Sequence, residues 1–296
     1  MRITNKYKLP QTLVALAKRD EYSKGESDYS VTEIISPPRI QCLRRKHKDY
    51  LTSDVADMLW SMMGTALHSI AEKSKVKNYV NEERLSVLIE DVKLSGAIDI
   101  QKISNKSVKI IDYKFCGVYA VQNPKPDWEA QLNIYGWLVN QVKGLRIEFL
   151  QICAMLRDWS RRNYEKSFDE YPQASVVVVD YPIWDLEKTE EYIKKRISLH
   201  QDAKFRAEME DDLPLCSDAD RWKNPDKWAV MRSGGKRAIK LFDSQDDAIK
   251  VKEEKGGGHY VEKRISEPIR CSGDYCGVAE WCDQYGQEKI ESERTS

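Results

Sequence analysis

The sequence lacks several features that would place it in common classes of protein. It has no apolar stretch of signal-peptide length near its start and no run approaching the ~20 apolar residues that span a bilayer. It also lacks net charge, since 48 basic side chains balance 48 acidic ones. The field of the whole molecule therefore gives no argument for nucleic acid, and any such binding depends on local patches. We expect a cytoplasmic protein with no membrane partner.

A disulfide framework is also disfavoured. The seven cysteines are an odd number, and a reducing compartment keeps thiols free. Three of them, Cys271, Cys276 and Cys282, stand close together in "RCSGDYCGVAEWCDQY". Their C-x4-C-x5-C spacing differs from the C-x2-C pairs of most structural zinc sites. Metal or cluster ligation is the stronger prediction for these thiols.

The apolar pattern predicts a chain in three parts. With 41% hydrophobic residues the chain can bury a substantial core. Helical spacing from about 53 to 75, with Ser53 as N-cap, predicts a long helix, and the Val- and Ile-rich stretch after it predicts a strand meander. We expect a core with an N-terminal helical segment at 1–210, a small β-hairpin/α/β module at 211–269 and a cysteine-rich tail at 270–296.

The stretch "GAIDIQKISNKSVKIIDYK" predicts a hairpin that carries two facing carboxylates. A four-residue loop at 104–107 places Ile103 opposite Val108, and the same register places Asp99 opposite Asp112. Their Cβ atoms would then lie about 4.5–5.5 Å apart on one face. Two carboxylates this close repel unless a cation lies between them. The alternative is that both are solvent-facing strand residues, although Asp112 follows an apolar run.

Other positions add polar groups at matching spacings. Lys114 projects from the same strand face as Asp112. On the predicted helix, Gly64 and His68 are four apart, so a residue that permits close backbone approach shares a face with an imidazole. Gln131 and Tyr135 have the same spacing on a later helix. Each feature alone also fits an ordinary structural role, a buried helix histidine or a hydrogen-bonded tyrosine at the edge of the core.

Taken in order, these motifs resemble a known family. They are G-x-x-x-H, the acidic pair Glu82 and Glu83, G-x-x-D, D-Y-K and Q-x-x-x-Y. This series resembles the PD-(D/E)XK nuclease superfamily, specifically its RecB-like branch, which includes CRISPR adaptation exonucleases, AddB-type nuclease domains and phage exonucleases with an iron-sulfur cluster. The resemblance implies an α/β fold with a restriction-endonuclease-like core, a mixed β-sheet flanked by helices.

The resemblance also implies roles for the motif residues. His68, Asp99 and Asp112 would hold Mg²⁺ or Mn²⁺, helped by the backbone carbonyl of Tyr113. Lys114 would orient or deprotonate the attacking water. One departure from the family pattern is an aspartate at 112, where many relatives have glutamate.

Two further pairs receive roles from the resemblance. Gln131 and Tyr135 would position the DNA strand. Whether Glu82 or Glu83 contributes, by steering a second metal ion or a water, stays open.

For the tail, the resemblance implies that the cysteine triplet joins one distant cysteine to ligate a 4Fe-4S cluster. Cys42 lies ahead of the histidine motif, where two adjacent arginines favour a thiolate. Cys216 stands at the start of the small module, whose end carries the triplet, so a cluster there would join both ends of the module. We favour Cys216 slightly over Cys42, and zinc stays an alternative to iron.

The expected activity is divalent-metal-dependent, exonucleolytic hydrolysis of DNA in recombination, repair or phage DNA processing. The expected partners are DNA with single-stranded or linear ends and a helicase or single-strand annealing protein. Trp159 and Tyr164, beside basic residues, are candidates for stacking on bases. The alternatives are a structure-specific endonuclease and a non-catalytic, cluster-stabilised DNA-binding or partner-binding subunit.

Overall fold

The computed structural model describes residues 2–19, 24–123, 125–209 and 212–295. The strands are β1 (Arg2–Thr4), β2 (Tyr29–Ser30), β3 (Thr52–Asp54), β4 (Tyr79–Ile89), β5 (Val92–Ser104), β6 (Ser107–Cys116), β7 (Arg146–Leu156), β8 (Val176–Tyr181), β9 (Lys227–Arg232), β10 (Ala238–Phe242) and β11 (His259–Arg264). The helices are α1 (Gln11–Ala17), α2 (Val31–Ile35), α3 (Pro38–Lys46), α4 (Leu59–Glu72), α5 (Val118–Gln122), α6 (Pro126–Lys143), α7 (Arg161–Lys166), α8 (Leu186–Met209), α9 (Gln245–Lys255), α10 (Ile269–Ser272) and α11 (Asp283–Thr295).

The chain divides into two compact units. The first comprises the residues up to Gln41 and those from His47 to Asp212. The second comprises Cys42–Lys46 and the residues from Leu213 onward. The further separation of the cysteine tail from the small module stays a prediction.

The first unit is built on a mixed sheet, as the fold prediction required. Strands β2, β5, β6, β7 and β8 follow one another across the sheet, and β4 pairs with β5. The β4–β5, β5–β6 and β7–β8 pairs are antiparallel, whereas β6 and β7 are parallel. The meander β4–β5–β6 therefore places three consecutive strands side by side, which is the arrangement that positions the site.

Helix α6 forms the centre of the core. Pro126 at its first turn and Gly144 at its end, with φ 65°, favour its start and stop, since both residues suit those positions. Every residue from Ala130 to Val139 is buried, because the helix contacts the sheet, α2 and α8. A helix that is buried all round needs no polar face. No helix in the described part of the chain is, however, both long and apolar enough to cross a membrane.

The predicted helix from 53 to 75 begins later than expected. Ser53 lies in β3, which pairs in parallel with β1, and α4 begins at Leu59. The N-cap of α4 is Met58, so the predicted cap at Ser53 is wrong. The carboxylate of the adjacent Asp54 accepts hydrogen bonds from the hydroxyl of Thr4 and the N–H of Lys6, both at 2.8 Å. A pairing with a distant strand thus overrides the local helical pattern.

The second unit contains the predicted hairpin, helix and strand. Strands β9 and β10 form the hairpin, and β11 pairs with the other edge of β9, so the order is β10-β9-β11. Helix α9 contacts all three strands. The small α+β module of the fold prediction is confirmed.

Candidate active site

The predicted hairpin register is confirmed. Ile103 pairs with Val108, and the ladder continues in the same register to one step before Asp99 and Asp112. At that point the regular pairing stops, and the Oδ2 of Asp99 accepts a hydrogen bond from the backbone N–H of Tyr113 at 2.7 Å. The backbone ladder is thus interrupted at the level of the two carboxylates, and both line one cleft.

The predicted four-residue loop of this hairpin is wrong in length. Ser104 and Ser107 pair with each other, so only Asn105 and Lys106 form the turn. Asn105 has φ 52°, in the left-handed region that asparagine tolerates. The register survives because shortening the loop by one residue on each side changes no partner.

A third carboxylate lies in the same row. The β4–β5 register on either side of position 82 places Glu82 opposite Asp99, although Glu82 itself departs from the ladder with φ 50°. Glu82, Asp99 and Asp112 therefore lie across three neighbouring strands at one level. Asp99 and Asp112 are buried, whereas Glu82 is half-buried.

Helix α4 adds His68 to this row. Its Nδ1 lies 2.8 Å from Oε1 of Glu82 and 3.6 Å from Oδ1 of Asp99. The hydrogen bond to Glu82 raises the pKa of His68, against the effect of burial. One ligand atom from each of the three residues lies within 4.8 Å of the other two. This spacing suits a small divalent cation that takes oxygen and imidazole ligands.

The electrostatics of Asp99 also suit a cation. Burial, together with the nearby charge of Asp112, raises the pKa of Asp99 to about 7. Two ionised carboxylates in a buried position are unfavourable unless a positive charge compensates them. A Mg²⁺ or Mn²⁺ ion would supply that charge, so the donor set fits the metal that the family resemblance implies.

Both oxygens of Asp112 have neighbours in the site. Its Oδ2 forms an ion pair with the ammonium of Lys114, and its Oδ1 accepts a hydrogen bond from Nε2 of Gln131 at 3.2 Å. Lys114 keeps 23% of its side chain exposed. Its remaining N–H donors can therefore reach a water or phosphate in the cleft.

Gln131 and Tyr135 hold the Asp112 carboxylate through hydrogen bonds. Nε2 of Gln131 also donates to the hydroxyl of Tyr135 at 2.8 Å, and both side chains are buried. The pair fixes the orientation of Asp112 through one continuous hydrogen-bond chain. Their predicted contact with DNA stays a prediction.

Glu83 lies away from the cluster, whereas Glu82 belongs to it. The Glu83 carboxylate accepts from Nε2 of Gln101 at 2.7 Å and forms an ion pair with Lys143 at the end of α6. Neighbouring residues in a strand point to opposite faces, so only one member of the acidic pair can face the metal ligands. Tyr113 contributes its amide to Asp99, and the role of its carbonyl as a ligand stays a prediction.

One cleft of ≈ 450 Å³ is lined by His68, Glu82, Asp99, Asp112, Lys114, Gln131 and Tyr135. The cleft is also lined by Arg19, Ser30, Thr32 and Thr65, which the sequence reasoning missed. Of these, Ser30 could have been noticed in the sequence, because Ser30 and Glu33 form the S-x-x-E capping box that marks the start of α2. Part of the polar lining of the cleft is therefore built from a helix start.

Gly96 of the G-x-x-D motif and Gly64 of the G-x-x-x-H motif have different surroundings. A Cβ at Gly96 would lie 2.7 Å from Cε1 and 2.9 Å from Cδ1 of Tyr135, and 3.0 Å from Leu138. At Gly64 a Cβ would meet no heavy atom within 4 Å, so the expected close backbone approach there is wrong. Gly96 is thus the glycine that makes room for the buried tyrosine.

We expect Gly96→Ala to destabilise the protein by about 1–3 kcal/mol, the usual cost of overpacking a core. The added methyl displaces Tyr135 and, through it, Gln131. The matched variant Gly64→Ala is expected to stabilise α4 by about 0.5–1 kcal/mol, since alanine is the better helix former. Urea unfolding of both variants measures the difference. Equal stabilities would contradict the packing assigned to Gly96.

Three cysteines of the tail lie close to one another. Burial, together with the charges of Cys276 and Cys282, raises the pKa of Cys271 to about 11. Removing all three protons without a cation is therefore unfavourable, whereas iron or zinc would stabilise the three thiolates. Ligation of a cluster or of zinc by these cysteines stays a prediction.

Both candidates for a fourth cysteine ligand belong to the same unit as the triplet. Gln284, just after Cys282, accepts from the N–H of Cys216 at 2.9 Å and donates to its carbonyl at 3.0 Å. Cys42 is buried and its sulfur accepts from Arg45 at 3.7 Å. The choice between Cys216 and Cys42 stays open on these contacts.

Comparisons with known proteins give two family matches. Residues 11–222, more than two thirds of the chain, match the family model described as the PD-(D/E)XK nuclease superfamily. Residues 221–262 match one described as an uncharacterized protein conserved in bacteria (DUF2188). No curated protein matches. A solved structure titled "Crystal structure of SSO0001" is similar at 16% identity and a TM-score of 0.44, over 64% of this chain and 85% of that chain.

Proposed function

The chain belongs to the PD-(D/E)XK nuclease superfamily, and from this premise we propose that it is a divalent-metal-dependent DNA exonuclease of the RecB-like branch. The observation that carries the proposal is one cleft in which His68, Glu82 and Asp99 gather their ligand atoms beside Asp112 and Lys114. A row of carboxylates with an adjacent lysine suits phosphodiester hydrolysis, because it combines a metal site with a positively charged donor.

In this proposal, His68, Asp99 and Asp112 would hold a divalent ion, with the carbonyl of Tyr113 as a further ligand. When bound, the ion would supply polarisation of the scissile phosphate and a lowered pKa for the attacking water. Glu82 fixes the His68 ring through the hydrogen bond to Nδ1. A ring held in one orientation presents its second nitrogen in a fixed direction.

The other residues position the reacting groups. Lys114 lies beside Asp112, so its ammonium donates to the attacking water and stabilises the charge that develops on the phosphate. Gln131 donates a hydrogen bond to Asp112 and so holds its carboxylate in a fixed orientation beside Lys114. The cleft wall also includes the exposed side chain of Thr32, whose hydroxyl can contact the DNA backbone.

An exonuclease needs a DNA end, which gives the first test of the activity. We expect the purified protein in Mn²⁺ to digest linear DNA and to leave covalently closed circular DNA intact. Lys114→Ala is expected to lose about 10²–10⁴-fold in rate, the range that one proton-handling group contributes. Gel electrophoresis of both substrates, with released nucleotides counted, measures this.

Lys109→Ala is the matched control, because Lys109 lies on the same strand, with its ammonium 4.1 Å from the centre of the Phe149 ring. It should keep wild-type activity. Cleavage of the closed circle would replace the exonuclease assignment by a structure-specific endonuclease. Binding of DNA without any cleavage would favour the non-catalytic subunit.

We further propose that the cysteine triplet and either Cys216 or Cys42 hold a 4Fe-4S cluster, with zinc as the alternative. What supports this is the effect that the charges of Cys276 and Cys282 have on Cys271, and the position of both candidates in the same unit as the triplet. Such a cluster requires four thiolates. The proposed setting is DNA recombination, repair or phage DNA processing, with a helicase or a single-strand annealing protein as partner.

A further inference from the structure

A large aromatic side chain stands exposed beside the proposed active site. Trp60, in the first turn of α4, is 47% exposed, and its neighbours Leu59 and Met63 are exposed as well. Its ring centroid lies 5.9 Å from that of Phe115, at an interplanar angle of 39°. The guanidinium carbon of Arg157 lies 4.9 Å from the centre of the indole. The indole is thus held by two neighbours while much of its surface faces solvent.

Helix α4 connects this aromatic group to the metal ligands. Trp60 contacts Phe115, and the ring of His68 meets that of Tyr113 edge-on at 6.4 Å, so the helix lies along the end of β6. Trp60 and His68 are eight residues apart, about 12 Å along the helix axis. Gly64 lies midway, and a Cβ there would meet no atom within 4 Å. The helix surface between the indole and the metal ligands is therefore open.

Positive charge gathers at the same place. Burial raises the pKa of the Cys116 thiol at the end of β6, while the charges of Lys125, Arg157 and Lys114 oppose that rise. The backbone N–H of Arg157 also donates to the carbonyl of Cys116 at 2.9 Å. The carboxylate of Asp158 also lies nearby, and its Oδ1 accepts a hydrogen bond from the N–H of Val118. Because Lys114 is paired with Asp112, the positive charge available to a ligand here comes from Arg157 and Lys125, and it favours a polyanionic ligand.

We propose that Trp60 is a base-stacking subsite for the single-stranded end of the DNA substrate. A nucleobase stacks on the exposed indole, and Arg157 and Lys125 bind the flanking phosphates. The next nucleotides then follow the open face of α4 past Gly64 to the metal ligands. Stacking on an aromatic ring tolerates every base, which suits an enzyme that degrades DNA regardless of sequence. This inference rests on the proposed function and names the part of the substrate that enters first.

The test measures the affinity of the full chain and its variants for labelled single-stranded oligonucleotides in EDTA, where no cleavage occurs. Trp60→Ala is expected to weaken binding of a normal oligonucleotide by about 5- to 100-fold, the loss of one base–aromatic stack. Trp60→Phe should retain most of the affinity. On an oligonucleotide of the same length that lacks bases, wild type and Trp60→Ala should bind equally, because no base is left to stack.

Phe149→Ala is the matched control, since Phe149 is also exposed beneath a cation, in this case Lys109. It should bind both oligonucleotides as wild type does. Trp60→Leu keeps an apolar side chain but has no aromatic face. If the alanine variant does not fold, Trp60→Leu replaces it, with the same expected loss of affinity. A loss of affinity that is equal with and without bases would overturn the stacking role, as would wild-type affinity in Trp60→Ala.

The same preparations separate this inference from the nuclease proposal. Wild-type protein in Mn²⁺ that leaves linear DNA intact would reject the nuclease proposal, and with it a subsite for its substrate. Active wild-type protein whose Trp60→Ala variant binds and cleaves unchanged would reject the subsite alone.

Discussion

Asp112→Asn is expected to lower Mn²⁺-dependent cleavage of linear DNA by about 10²–10⁴-fold, because several kcal/mol of charge stabilisation are lost with one metal ligand. The substitution preserves shape, and the new amide oxygen can still accept the hydrogen bond from Gln131. What disappears is the negative charge that faces Lys114 and Asp99. Single-turnover rates measure the loss, and calorimetric titration with Mn²⁺ should show weaker binding.

Asp180→Asn provides a closely matched control. Asp180 is also a strand aspartate whose Oδ1 accepts from a glutamine, Gln151, at 2.7 Å, but it is exposed on β8. This variant should bind Mn²⁺ and cleave DNA as wild type does. Wild-type cleavage by Asp112→Asn would exclude Asp112 from the metal site, whatever the fate of the other ligands.

The sequence could predict the hairpin with its carboxylates because that inference used only local rules. A strand alternates its side chains with period two, and one short turn fixes the register of the two strands that it connects. Even the error in loop length left Asp99 opposite Asp112, because the sum of partner numbers did not change. Repulsion between the two acids then indicated a cation, and burial in the folded chain strengthens that argument.

What the sequence could not predict depended on distant contacts. Helix α4 starts later than predicted because Thr52–Asp54 pair with β1, a partner some 50 residues away in the sequence. The choice of Glu82 over Glu83 required knowing which sheet face α4 brings His68 to. Neither fact follows from the period of the local pattern.

Aromatic residues show the same limit. Trp159, a sequence-based candidate for stacking on bases, donates its indole N–H to the carbonyl of Pro172 at 2.7 Å and packs against the core. Trp60, which shows no basic neighbours in the sequence, acquires Arg157 only through folding. Exposure of an aromatic ring and the charge beside it are tertiary properties, so the sequence alone gave no reason to consider Trp60, and stacking by Trp159 stays a prediction.

The second large effect is expected at the tail. Cys276→Ser should reduce the iron of anaerobically purified protein from about four atoms per chain to nearly none, since a cluster needs all four thiolates. The broad visible absorbance should vanish with the iron. The melting temperature should also fall, because binding of a metal group that holds several segments stabilises the folded state. Iron analysis, absorbance spectra and thermal unfolding measure the three changes.

Cys153→Ala is the control, because Cys153 is a half-buried cysteine of β7 in the first unit. It should keep full iron content. Comparison of Cys216→Ser with Cys42→Ser then identifies the fourth ligand, since only the true ligand should lose iron as Cys276→Ser does. Zinc without iron in the wild-type protein would reject the cluster yet leave the nuclease proposal intact, since the metal ligands at His68 and the tail cysteines belong to different units.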